Sequence, residues 1–131
     1  MASVPEDLRY TKEHEWARQR GDVLVVGLTD HAQLQLGDIV YVELPKVGDS
    51  VEAGEPFGSV ESVKAVSEVY APVTGHVIKI NEGLSSSPED INTDAYGEGW
   101  LIEIRMANPT QAEELLTPTE YAAYTQQEKD S

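Results

Sequence analysis

The sequence contains no cysteine. That absence excludes disulfides, a thiolate nucleophile and a cysteine metal site. Histidine is scarce: His14, His31 and His76 lie far apart and make no HxxxH pair, so no metal site is expected. Basic residues are also few, 9 Lys and Arg against 24 Asp and Glu, for a formal charge of −15. Such a chain lacks the basic face that phosphate contacts require, which argues against a nucleic-acid partner. An anionic membrane surface would repel it. Long apolar runs are missing too. Stretches such as Val23–Leu28 fall far short of the ~20 residues of a membrane span. Met1–Tyr10 carries Glu6 and Asp7 and no apolar segment, which fits neither a secretory signal nor an Arg-rich transit peptide.

What is present suits one domain over residues 1–131, with a core from about 8 to 107 and a C-terminal helical segment over about 109–127. A chain of this length buries a core without covalent staples. The strong negative charge favours encounters with basic partner surfaces; the plain alternative is that it does no more than keep the chain soluble and monomeric.

Valine-rich strand signals with Gly, Pro and Asp punctuation fill the middle. Val23–Leu28 (VLVVGL) reads as a buried strand. Thr29 caps a short helix over Asp30–Leu36, ended by Gly37. Ile39–Leu44 reads as the next strand, and turn clusters at Val47-Gly48-Asp49 and Ala53-Gly54-Glu55-Pro56 bracket a short extended piece. In Phe57–Tyr70, Val60, Val63, Val66 and Val69 recur every three residues. One helical stripe and a two-strand hairpin both account for this. β-branching weighs toward the hairpin, although no glycine marks its turn. Gly75–Ile80 alternates as a strand, Ser87-Pro88-Glu89-Asp90 starts a short helix with Pro88 at its first position, and Trp100–Met106 is another strand. Asn108-Pro109 and the capping box Thr117-Pro118-Thr119-Glu120 open two helices, and Gln126–Ser131 is expected to fray. Trp16 and Trp100 read as core packing and His76 as an exposed strand residue. Gly97 and Gly99 lack a phosphate-loop context. The sum is a mostly-β chain, a sandwich or flattened barrel with peripheral helices.

Lys64 stands out within this pattern. It is the only Lys or Arg between Lys46 and Lys79, an interval shared by five carboxylates, Asp49, Glu52, Glu55, Glu61 and Glu68. At the tip of a turn it would be presented to a modifying enzyme on a rigid support. The plain alternative is a surface lysine in a weak ion pair with Glu61 or Glu68, and spacing alone favours it.

The stretch Gly58-Ser-Val-Glu-Ser-Val-Lys-Ala-Val-Ser-Glu-Val-Tyr-Ala-Pro-Val-Thr-Gly75 resembles the lipoylation segment of the glycine cleavage system H-proteins. Further segments resemble that family in order: Tyr10-Thr-Lys-Glu-His-Glu-Trp16, Gly27-Leu-Thr-Asp-His-Ala-Gln33, Leu36-Gly-Asp-Ile-Val-Tyr-Val-Glu-Leu-Pro45 and Asp94-Ala-Tyr-Gly-Glu-Gly-Trp-Leu-Ile102. The resemblance spans roughly Leu8 to Tyr124.

It implies a barrel-sandwich hybrid of two antiparallel sheets, as in lipoyl and biotinyl carriers, with a C-terminal helix. It implies a non-catalytic carrier whose Lys64 holds lipoic acid in amide linkage within the recognition hairpin Glu61, Ser62, Val63 and Ala65. The partners implied are the pyridoxal-phosphate glycine decarboxylase (P-protein), the folate-dependent aminomethyltransferase (T-protein), the dihydrolipoyl dehydrogenase (L-protein) and a lipoylating enzyme. Glu15, Gln35 and Glu68 would line the cleft that docks the loaded arm. Gln35 departs from the histidine of some relatives, and the nearest histidine is His31. A reactive sulfur belonging to the cofactor fits a chain without cysteine.

Rival readings are an H-like relay of lipoyl groups to other enzymes, a biotinyl or lipoyl domain of a larger enzyme, and an unmodified acidic binding module. Biotinyl sites favour methionine beside the lysine, against Val63 and Ala65 here. Met1 without a transit peptide points to a bacterial cytoplasm, the alternative being the mitochondrial matrix for a mature eukaryotic form.

Overall fold

The computed structural model describes residues 3–130, with side chains for residues 3–128. Nine antiparallel strands carry the fold: β1 (Arg9–Tyr10), β2 (Glu15–Arg20), β3 (Val23–Leu28), β4 (Ile39–Glu43), β5 (Ser50–Val51), β6 (Pro56–Ser62), β7 (Val66–Tyr70), β8 (Gly75–Ile80) and β9 (Ile102–Met106). They form a six-stranded sheet, ordered β1-β2-β3-β9-β8-β5, and a three-stranded sheet, ordered β4-β6-β7. This is the expected two-sheet architecture with small helices at its edges: α1 (Asp30–Leu36), α2 (Asp90–Thr93) and α3 (Pro118–Asp130).

The main core lies between the sheets. Leu24, Val26 and Ile104 of the large sheet meet Val60 and Val69 of the small one. A second cluster of Leu8, Tyr10, Trp16, Val25 and Tyr121 covers the opposite face of the large sheet. β3 is thus buried on both faces, which is why its sequence is a continuous apolar run rather than an alternation. Its partner β2 escapes the sequence reading for the same reason. Glu15, Trp16 and Ala17 are buried in succession, Arg18 is half-buried and Gln19 and Arg20 face solvent, so no period emerges.

The ambiguous valines resolve as a hairpin. Val60 and Val69 point into the core, whereas Val63 and Val66 are 69% and 66% exposed. A helical stripe would turn all four one way. Here the bend between β6 and β7 resets the in/out phase.

Three helix expectations shift. Ser87 and Pro88 form the turn before α2, whose first residue is Asp90, and no side chain caps it. The segment after Asn108 is a 3-10 helix, Pro109–Glu114, because Asn108 caps it but Pro118 restarts the chain soon after. The capping box before α3 is present, with Thr117 N–H donating to Glu120 at 2.9 Å and Glu120 N–H to the Thr117 hydroxyl at 3.2 Å. Instead of fraying from Gln126, α3 runs to Asp130, and Ser131 lies outside the described residues. Trp100 precedes β9 rather than opening it. It is half-buried, with the Lys79 ammonium 5.7 Å from its ring. Trp16 is core as expected.

Trp16 pairs across the ladder with Gly27, and its indole N–H donates to the Ala95 carbonyl at 2.9 Å. A Cβ on Gly27 would sit 2.5 Å from the indole ring. Gly27→Ala therefore forces this packed cluster to shift. It should cost about 1–3 kcal/mol, read as a lowered urea midpoint at unchanged m-value.

Candidate functional site

The bend of the β6–β7 hairpin is two residues long, Val63 and Lys64. Neither has positive φ, so it is not one of the mirror-image turns that usually close two-residue hairpins. Ser62 closes it instead. Its N–H donates to the Ala65 carbonyl at 2.8 Å, and its hydroxyl accepts from Lys64 N–H at 3.2 Å and Ala65 N–H at 3.1 Å. The hydroxyl replaces the backbone acceptor, a short-range role that serine performs in turns. Ser62 is 5% exposed, although the residues after it face solvent.

The tip is braced from outside the hairpin. Val63 N–H donates to the Asp38 carbonyl at 3.1 Å, tying the bend to the turn between α1 and β4. That turn passes through Gly37 at φ 81°. The Lys64 stem runs over Gly37, its Cε 3.7 Å from where a Cβ would stand. Asn92 of α2 fastens the same turn, donating to the Gly37 carbonyl and accepting from Ile39 N–H, both at 2.9 Å. No sequence signal marked Asn92, because its partners lie more than fifty residues away.

Lys64 is exposed and, among the described residues, forms no ion pair. The alternative of a pair with Glu61 or Glu68 is not what the structure has. Glu61 and Val66 face solvent beside Tyr41 on the outer face of the small sheet, with Glu68 one row further along. Val63 and Ala65 flank the lysine in the open.

The three residues expected to share a docking cleft separate by environment. Gln35 on α1 and Glu68 on β7 are exposed. Glu15 is 1% exposed and committed inside, one oxygen to the Thr11 hydroxyl and the other to Tyr70 N–H at 3.1 Å. Of the three, Glu15 is thus the one enclosed by the protein rather than set on its surface. The carboxylate fastens the end of β7 to β2, linking the two sheets. Burial pushes its pKa up to about 7, only partly offset by the Thr11 and Tyr70 hydrogen bonds.

A polar cluster that the sequence did not reveal lies where α3 meets β2 and α1. His14 Nδ1 is 2.8 Å from the Tyr121 hydroxyl, itself 2.8 Å from the Thr29 hydroxyl that caps α1. His14 Nε2 is 3.0 Å from a Glu128 oxygen. Burial, then the nearby His31, lower the His14 pKa, while Glu128 raises it. His76, by contrast, is exposed on β8 as expected.

Two facing antiparallel sheets with one lysine held out on a hairpin bend define a fold of the lipoyl and biotinyl carrier kind. Residues 8–128 match the family model described as Glycine cleavage H-protein, and the chain belongs to that family. It is 56% identical over 129 residues to the glycine cleavage system H protein of Rubrobacter xylanophilus, covering 98% of this chain and 100% of that one. It is 55% identical to the Myxococcus xanthus H protein, covering 95% of this chain and 96% of that one. The crystal structure of the Mycobacterium marinum H protein superimposes with a TM-score of 0.86 at 41% identity, covering 93% of this chain and 98% of that chain.

Two outcomes follow from the site geometry. Ser62→Ala removes the acceptor of two turn N–H groups and should cost about 1–2 kcal/mol, whereas exposed Glu61→Ala should stay within about 0.5 kcal/mol. Urea melts compare them. For Glu15, the folded chain holds the proton more tightly than the unfolded one. Its contribution is therefore present at low pH and lost as pH rises from 4.5 to about 7. Between pH 5 and 8 the parent should lose on the order of 2 kcal/mol that Glu15→Gln does not lose. Equal pH slopes for the two proteins would refute this.

Proposed function

We propose that the chain is the lipoyl carrier of the glycine cleavage system, a non-catalytic carrier domain over residues 1–131, with Lys64 as the attachment site. The observation that carries this reading is the exposed Lys64 at the tip of a braced two-residue bend. Membership of the H-protein family supports it. An amide at Nζ requires an amine that an enzyme can reach without unfolding the chain. No ion pair with the described residues has to be broken first. When bound, lipoic acid supplies the dithiolane disulfide that takes up the aminomethyl group of glycine.

The chain's own residues do the rest. Ser62 and the Val63–Asp38 hydrogen bond hold the lysine at a fixed place for the lipoylating enzyme. Glu61, Val63 and Ala65 offer that enzyme side chains in the open beside it. Gln35 and Glu68 are exposed and available to a docked arm, and Glu15 acts from the interior by holding Tyr70. Tethering raises the effective concentration of the arm at each active site it visits. The partners are P-protein, which loads the arm, T-protein, which unloads it, and L-protein, which reoxidises it. The net charge of −15 favours encounters with basic docking surfaces. The compartment proposed is a bacterial cytoplasm, as the relatives named above are bacterial. None of the described helices is long and apolar enough to cross a membrane.

Intact-mass analysis of protein from lipoate-replete cells should give one lipoyl addition, mapped to Lys64 and lost in Lys64→Ala. Unmodified chain alone would overturn the assignment in favour of a binding module. The lipoylated form should stimulate glycine-dependent CO₂ exchange by P-protein. Lipoylation without that stimulation would indicate the relay role instead.

A further inference from the structure

Three side chains from three separate segments converge beside α3. His14 stands at the entry to β2, His31 in the first turn of α1 and Glu128 near the end of α3. His14 Nε2 lies 3.0 Å from Glu128 Oε1 and His31 Nε2 lies 3.6 Å from the same oxygen. One ligand atom from each residue falls within 4.8 Å of the other two. Tetrahedral ligands at ~2.0–2.1 Å from a zinc ion stand about 3.3–3.5 Å apart. The two histidine–carboxylate separations bracket that spacing.

Hydrogen bonding among the described residues leaves this cluster incomplete. A single proton on His14 Nε2 accounts for its approach to Glu128. It does nothing for His31 Nε2, which is buried, has no hydrogen-bond partner and sits beyond hydrogen-bond reach of that carboxylate. Buried polar atoms are rarely left in that state. One cation at the centre gives that nitrogen a partner while keeping His14 and Glu128 engaged.

Two further features fit a ligand role. With Tyr121 donating to Thr29, its oxygen accepts the Nδ1–H of His14 and leaves Nε2 free to coordinate. Outer hydrogen bonds of this kind fix the tautomer and orientation of metal-binding imidazoles. His14 also has φ 70°, the only left-handed residue other than glycine among the described residues. Such backbone strain concentrates at functional sites.

We propose that His14, His31 and Glu128 form a binding site for one Zn²⁺, with Tyr121 and Thr29 as positioning residues for His14. Two imidazoles and one carboxylate suit an ion of borderline softness, whereas Mg²⁺ and Ca²⁺ prefer oxygen ligands alone. The bound ion staples the end of α3 to β2 and α1, at a place distinct from the Lys64 hairpin. A fourth coordination position stays open to water or an external ligand.

The test is a calorimetric titration of the metal-stripped full chain with ZnCl₂, paired with NMR of the histidine ring nitrogens. One saturable site is expected, with Zn²⁺ shifting the His14 and His31 resonances and leaving those of His76 in place. MgCl₂ should move neither. Glu128→Gln and His31→Gln should each weaken binding about tenfold or more, and Tyr121→Phe about tenfold, through the lost outer hydrogen bond. His76→Gln should bind as the parent does. Absence of a 1:1 site overturns the proposal. So does equal affinity in Glu128→Gln and His31→Gln, which would put the ion among surface carboxylates. The ring-nitrogen measurement uses the parent chain, so it decides the matter even if a variant folds poorly.

Discussion

The Ser62 hydroxyl is the interaction on which the presentation of Lys64 depends. A two-residue hairpin loop normally takes a turn with positive φ, because that twist matches the flanking strands. Val63 and Lys64 are poor residues for positive φ, and neither adopts it. The bend therefore needs another acceptor for its inward N–H groups, and the serine side chain is that acceptor. A lysine and a β-branched valine can thus occupy the tip, where glycine or asparagine would otherwise be required.

A closed turn alone would still swing on its strands. Three connections remove that freedom. Val63 N–H reaches the Asp38 carbonyl, Asn92 pins Gly37 and Ile39 behind it, and Glu15 holds Tyr70 at the far end of β7. Each joins segments distant in sequence, and each satisfies a backbone group that would otherwise lack a partner. Glu15 carries the largest cost of the three, a carboxylate taken from water and held by two hydrogen bonds. The mobility needed to visit several active sites then belongs to the prosthetic arm and the lysine stem, while the support stays rigid.

On the opposite face of the large sheet, Tyr121 organises a different region. Its ring stacks on Tyr10 with centroids 4.6 Å apart, and its hydroxyl joins His14 to the cap of α1. α3 is otherwise largely solvent-exposed. Tyr121 is its buried anchor, and half-buried Tyr124, beside His14 and with the Lys12 ammonium 5.7 Å from its ring, adds a second contact. A helix this exposed is where a bound ion would change order most.

The sequence by itself determined much of this protein. Thr29 and Gly37 bound α1, the Thr117–Glu120 box starts α3, and the valine runs and turn clusters mark most strands. These signals act over three or four residues, so they are legible without knowing what packs where. The ordered motifs from Tyr10 to Ile102 likewise pointed to the family and to Lys64. Only the tertiary structure decided the rest. It chose the hairpin over the helix for the four valines, since burial of Val60 and Val69 between two sheets is a long-range fact. It took Glu15 out of the solvent, recruited Asn92, and brought His14, His31 and Glu128 together across more than a hundred residues. Those outcomes depend on which distant surfaces the sheets bring into contact, and no local period or spacing encodes that.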